Sequence, residues 1–111
     1  MEYGYDRKVL FQNEHCEVVE ITWKPGEATQ VHEHGADCCG VTKVLSGEIF
    51  ETTYHEMSGR IVAGATNYYG PGKAITEEAL GIHKVGNAGK EIAKTIHFYS
   101  PPARNKEVKL T

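Results

Sequence analysis

The chain has 111 residues, which fits one domain over 1–111, with a core at about 5–102 and a charged tail at 103–111. Its 12 Lys+Arg against 15 Asp+Glu give a formal net charge of −3, with no basic stripe for nucleic acid and no polybasic run for a membrane surface. No apolar run reaches a membrane-spanning length, the opening MEYGYDRKVLF lacks a signal-peptide core, and Cys16, Cys38 and Cys39 make an odd count, so the expected setting is reducing and cytoplasmic.

Taken in chain order, strands dominate. Cys16 to Trp23 is rich in β-branched residues and ends at the turn Lys24-Pro25-Gly26. Gly40 to Leu45 is a second apolar run, and Ser46-Gly47 joins it to Glu48–Tyr54, a pairing expected to be a short hairpin. Arg60 to Ala63 follows Ser58-Gly59 as a short strand, and Tyr68 to Gly72 breaks the chain. Thr76 to Leu80 has the composition of one helical turn, too short to stand alone. Gly81 to Val85 and Glu91 to Tyr99 are strands separated by a Gly-rich turn. Pro101-Pro102 stops the last strand, with a cis bond after Ser100 a plausible device for turning the chain, and the tail from Ala103 to Thr111 is expected to be loose. Short strands with Gly-rich turns and no long amphipathic helix indicate an all-β closed sandwich or small barrel.

The residues that carry chemistry are histidines. His32 and His34 flank Glu33, and alternation along a strand points both imidazoles to one face and Glu33 to the other. His83, from a distant strand, can complete a three-imidazole metal site without a carboxylate, unlike the two-His-one-carboxylate iron sites. The plainer alternative is a set of inward histidines satisfied by hydrogen bonds. Three histidines also suit zinc, nickel, copper or manganese. Period-two spacing places Thr95, His97 and Tyr99 on one face of the last strand, though a lone His97 is more often a packed core residue. Arg7 is by default a surface arginine, Tyr5 a packing residue and Cys16 a buried small hydrophobe.

Gly26-x5-His32-x-His34, Gly47 and His83-x3-Asn87 resemble the two motifs of the cupin superfamily, a small jelly-roll β-barrel with a metal inside. Trp23-Lys-Pro-Gly26, His32-Glu-His-Gly35, Val44-Leu-Ser-Gly47, Gly81-Ile-His-Lys-Val-Gly-Asn87 and Ile96-His-Phe-Tyr-Ser-Pro-Pro102 resemble, in order, the blocks of cysteine dioxygenase and its thiol dioxygenase relatives. The resemblance implies an Fe(2+) enzyme that uses O2 to convert a small thiol to its sulfinic acid. It implies that His32, His34 and His83 hold the iron, that His97 and Tyr99 act at the site beside Thr95, and that Tyr5-Asp6-Arg7 is the Tyr-x-Arg that holds a substrate carboxylate. An arginine at Arg7 is what relatives acting on L-cysteine keep. Other readings are a dioxygenase for 3-mercaptopropionate or mercaptosuccinate, and a non-catalytic cupin that binds metal or a small molecule. Some relatives link a cysteine to the active-site tyrosine by a thioether. Counting forward from His34 assigns that position to Cys39, for a Cys39–Tyr99 link; counting back from Gly47 assigns it to Gly40. The expected assembly is a monomer or homodimer, with a small thiol and O2 as its partners.

Overall fold

The computed structural model describes residues 5–35, 37–77, 81–103 and 106–108. Ten strands run in order: β1 (Asp6–Gln12), β2 (Glu17–Trp23), β3 (His32–Glu33), β4 (Cys39–Ser46) and β5 (Ile49–Met57), then β6 (Arg60–Tyr69), β7 (Ala74–Glu77), β8 (Ile82–Asn87), β9 (Ala93–Ser100) and β10 (Lys106–Glu107). Among the described residues there is no helix. The strands form two five-stranded antiparallel sheets, ordered β1-β2-β9-β4-β7 and β10-β3-β8-β5-β6.

The inward face of each sheet is graded from apolar to polar. On β2, Glu17, Val19, Ile21 and Trp23 are buried while the residues between them are half-buried. They pair with Tyr99, His97, Thr95 and Ala93 of β9, which also point inward. On the far side of β9, Gly40, Thr42 and Val44 of β4 face Tyr99, His97 and Thr95. In the second sheet Ile49 lies opposite Asn87, Glu51 opposite Val85, and Thr53 opposite His83. His83 in turn pairs with His32. The apolar side chains join in one core that includes Trp23, Val44, Ile49, Ile75, Val85 and Ala93. The polar rows are left together at the other end.

Several strands differ from the sequence expectation. Ser46-Gly47 does not close a hairpin. β4 lies in one sheet and β5 in the other, so the chain crosses between layers there. Gly47 has φ +79°, and an added Cβ would sit 2.6 Å from Ala93 Cα. The tight hairpin lies instead at Ser58-Gly59, between Met57 and Arg60, with positive φ at both turn residues as a type I′ turn needs. The strand after it continues to Tyr69, well beyond Ala63. The expected helical turn at Thr76–Leu80 begins as strand: Ala74–Glu77 pairs with β4, and the remainder of that segment lies outside the described residues. Part of the tail, Lys106–Glu107, adds to β3 as a short strand. The peptide bond between Ser100 and Pro101 is cis, as expected.

Gly47→Ala is expected to cost at least about 2 kcal/mol, because it combines a backbone clash with a φ that β-carbons disfavour. The shift of the urea unfolding midpoint measures this; an unchanged midpoint would mean the crossover has slack.

Candidate metal centre

The site forms where β3 and β8 meet. His32 and His34 are both buried and Glu33 is half-buried, so the alternation expected from the sequence is present. The side-chain nitrogens of His32, His34 and His83 lie within 4.8 Å of one another. His32 Nε2 is 3.1 Å from His34 Nε2. The outer ring nitrogens show which atoms face inward. His32 Nδ1 donates to the Gln30 carbonyl at 2.8 Å, and His83 Nδ1 donates to Glu51 Oε2 at 2.8 Å. His83 Nε2 is then left buried with no hydrogen-bond partner. Burial lowers the pKa of His32 to about 4 and of His34 to about 2, each helped by the other histidines. Three imidazoles with converging ring nitrogens, one of them left without a partner, suit a divalent cation. The residues present therefore fit a metal.

Beside them, β9 presents Thr95, His97 and Tyr99 on the inward face, as the spacing predicted. The hydrogen bonds there have a direction. Trp23 Nε1–H, which can only donate, reaches Thr95 Oγ1 at 2.9 Å. That frees the Thr95 hydroxyl proton for His97 Nε2, 2.6 Å away. His97 Nδ1–H then faces Thr42 Oγ1 at 2.8 Å and the Tyr99 hydroxyl at 3.1 Å. Thr42 donates onward to Glu77 Oε1 at 3.3 Å. A donor-only indole at one end and an acceptor-only carboxylate at the other fix the His97 tautomer. Burial, then the charge of His83, lowers the His97 pKa to about 3. Burial and the neighbouring Glu77 carboxylate push Tyr99 well above its ordinary value, so its hydroxyl keeps its proton.

Two carboxylates were missed in the sequence. Glu51 orients His83. Glu77 is buried with Oε1 3.7 Å from His83 Nε2 and Oε2 3.8 Å from His34 Nδ1. The cluster itself is His32, His34 and His83 without a carboxylate, and Glu33 turns away, while Glu77 comes in beside the cluster from β7. Alternation along β5 and β7 carried this signal, since Ile49 and Glu51 share a face, as do Ile75 and Glu77. A cavity of about 180 Å³ opens beside His34 and His83, walled by Glu51, Thr53, Thr76 and Glu77.

The N-terminal pair borders the β9 face, where the charge of Arg7 helps lower the His97 pKa and Tyr5 helps raise that of Tyr99. The Tyr5 ring packs on Trp23 with centroids 4.6 Å apart. Arg7 Nη2 is 3.2 Å from Glu17 Oε1, an ion pair with a buried carboxylate. Cys39 is exposed and pairs with Ser100, whereas Gly40 faces Tyr99. A Cβ on Gly40 would lie 2.6 Å from Tyr99 Cδ1. The forward count that chose Cys39 for a thioether is therefore corrected, because alternation turns Cys39 away from Tyr99. Cys16 is half-buried and Cys38 fully buried.

The two facing antiparallel sheets with histidines converging at one end define a cupin, or double-stranded β-helix. The fold is similar to that of a protein from Thermus thermophilus, at 24% identity and TM-score 0.72, covering 87% of this chain and 83% of that one. An uncharacterized conserved protein with a double-stranded β-helix domain from Klebsiella pneumoniae has 21% identity and TM-score 0.72, covering 95% of this chain and 84% of that one. The Schizosaccharomyces pombe Cnp3 cupin domain has 14% identity and TM-score 0.74, covering 90% of this chain and 66% of that one. Within the cupins, the sequence matches the cysteine dioxygenase type I family over residues 2–107, and the chain belongs to that family.

Two outcomes are expected. His32, His34 and His97 titrate near 6.5 in an unfolded chain but remain neutral in the metal-free fold to about 4 or below. As pH falls below 6.5 the unfolded state takes up protons that the fold refuses, so stability drops. The loss is roughly 1.4 kcal/mol per pH unit for each histidine. Urea unfolding of metal-free protein at pH 7 and pH 5 should differ by several kcal/mol; a flat profile would mean the fold accepts those protons. Glu51→Gln should weaken metal binding about 10–100-fold in competition with a chromophoric chelator, as for other partners of ligand histidines. Unchanged affinity would mean that His83 is oriented without it.

Proposed function

We propose that this protein is an iron-dependent thiol dioxygenase that converts a small thiol and O2 to a sulfinic acid. The observation that carries this reading is the convergence of His32, His34 and His83 within 4.8 Å, beside the Thr95–His97–Tyr99 face. The three histidines hold the ion, and Fe(2+), when bound, supplies the acidity that removes a thiol proton and the redox capacity that activates O2.

The chain's own residues supply the rest. Tyr99, 7% exposed and protonated, is a hydrogen-bond donor held 5.1 Å from the His34 ring, centroid to centroid. His97 orients that hydroxyl, and its tautomer is set by Thr95 and Trp23 on one side and Thr42 on the other. Glu51 holds the His83 ring in place. The apolar layer beneath, with Trp23, Ile49 and Val44 fully buried, excludes water from one end of the site.

The motif's case for L-cysteine rests on Arg7. That guanidinium pairs with Glu17 at 3.2 Å and carries its positive charge close enough to His97 to help lower the pKa of that ring. The cysteines described are all free thiols, which suits a reducing cytoplasmic setting. Among the described residues no helix is long and apolar enough to cross a membrane.

Oxygen uptake by anaerobically iron-loaded protein, with the sulfinate quantified by mass, tests the reaction. One sulfinate per O2 from at least one of cysteine, 3-mercaptopropionate, mercaptosuccinate or 2-aminoethanethiol is expected. No uptake from any, with iron fully loaded, would leave a metal-binding cupin without this chemistry. Tyr99→Phe should lower kcat roughly 100-fold while thiol affinity changes little; equal losses in both would make Tyr99 a packing residue.

A further inference from the structure

Arg7 reaches farther than its place in the sheet requires. Its backbone lies opposite Ile21, and Ile21 lies opposite Thr95. Its Nη2, however, is 3.2 Å from Oε1 of Glu17, a residue nearer the start of β2 and opposite Tyr99. Ile21 and Glu17 are separated by about 13 Å of strand, so the two side chains stretch toward each other along the inward face. Glu17 is 3% exposed, and its Oε2 accepts the Gln12 amide at 2.9 Å. Its Oε1 has no hydrogen-bond partner, so charge, not a directed bond, holds the guanidinium there. A two-pronged pair with Glu17 would spend the fork of N–H groups on the protein itself; a pair held by charge alone does not.

We infer that Glu17 is a positioning residue: it draws the Arg7 guanidinium to the Tyr99 end of β9, where Arg7 receives the carboxylate of a thiol substrate. This rests on the thiol dioxygenase reading and adds the residue that sets where the anionic end of the substrate lies. The distribution of cations supports it. Among the side chains described, Arg7 and Lys84 are the lysines and arginines that are not exposed, and Lys84 follows His83 on β8 and so turns outward. Arg7 is the inward cation of that set. After burial and the charge of His83, the charge of Arg7 lowers the His97 pKa, so the guanidinium lies near that ring. Tyr99, opposite Glu17, has its ring 5.1 Å from that of His34, centroid to centroid. A molecule bound at the imidazoles therefore has the guanidinium on its Tyr99 side.

The geometry disfavours the opposite role, in which Glu17 competes with the substrate for Arg7. A competing carboxylate takes the donors, and Oε1 accepts no hydrogen bond. Glu17 is also held from its other side. Gln12, its register partner, belongs to the same strand as Arg7, so β1 carries both the guanidinium and the amide that fixes its anchor.

The test is anaerobic titration calorimetry of iron(II)-loaded protein with L-cysteine, 3-mercaptopropionate and ethanethiol. The unaltered chain, Glu17→Gln, Arg7→Gln and the double variant are compared, with iron content measured alongside. Glu17→Gln keeps the shape and an oxygen for Gln12 but removes the charge. It should raise the Kd of each carboxylate thiol that binds about tenfold, the size of one charged hydrogen bond, and leave ethanethiol unchanged. In the Arg7→Gln background the same substitution should change Kd by less than about twofold, because a residue that works through Arg7 has nothing left to place. Equal losses in both backgrounds, an equal loss for ethanethiol, no loss, or tighter binding in Glu17→Gln overturns the inference and leaves the dioxygenase reading standing. If Glu17→Gln does not fold or hold iron, Gln12→Ala decides, since Gln12 is exposed. A Kd at least about threefold higher for the carboxylate thiols alone supports the inference, and an unchanged Kd overturns it. If ethanethiol binds the unaltered protein and neither carboxylate thiol does, the inference alone falls; if none of the three binds, both readings fall.

Discussion

The site depends on the placement of β9 between β2 and β4. A strand paired on both sides cannot slide, and its alternate side chains have only one way to point. Ala93, Thr95, His97 and Tyr99 are turned inward together, against Val19 and Ile21 on one side and Thr42 and Val44 on the other. The same strand is thus core at one end and chemistry at the other. Because the indole of Trp23 belongs to the apolar end and Glu77 to the polar end, the hydrogen bonds between them run in one direction. Packing in the core is in this way connected to the protonation state of a histidine near the imidazole cluster.

The second sheet contributes position and charge. Burial makes the protonated ring of His32 and of His34 expensive, and His32 and His83 are oriented by bonds at the nitrogen facing away from the cluster. Carboxylates stand beside these rings. Glu17, Glu51 and Glu77 are all buried, and each lies against a cationic or imidazole partner: Arg7, His83, or both His34 and His83. Glu17 is answered by the chain's own Arg7, while Glu51 and Glu77 stand beside the imidazole cluster.

Much of this was legible in the sequence because period-two alternation acts on residue types that are rarely buried without reason. His32, His34, His83 and the Thr95–His97–Tyr99 face could be read from spacing and motif, and the cupin class from their order along the chain. The misreadings share a cause. Ser46-Gly47 has the residues of a hairpin, but whether a turn joins neighbours in one sheet or crosses to the other is decided by non-local pairing. Thr76-Glu-Glu-Ala-Leu80 favours a helix locally, yet the free edge of β4 draws Ala74–Glu77 into the sheet, and that pairing is what delivers Glu77. β1 was not foreseen because most of it is exposed and its pattern is weak. Arg7 takes its role from motif alone in the sequence; its ion pair depends on Glu17, a residue from the neighbouring strand that local pattern does not mark.

Asn87 stands in the sequence as the end of a motif, but its part is structural. Its amide donates to the Trp23 and Glu91 carbonyls at 3.0 and 2.7 Å, and its oxygen accepts the Gly89 amide at 2.7 Å. These bonds pin the far end of β8 to two other segments. The alternative they oppose is a slip of β8 by one residue, which turns every side chain on that strand to the opposite face. Lys84 would then stand where His83 stands, and a lone pair would be exchanged for an ammonium. The identity of the ion-facing group at one end of the strand is therefore guarded by an uncharged amide at the other.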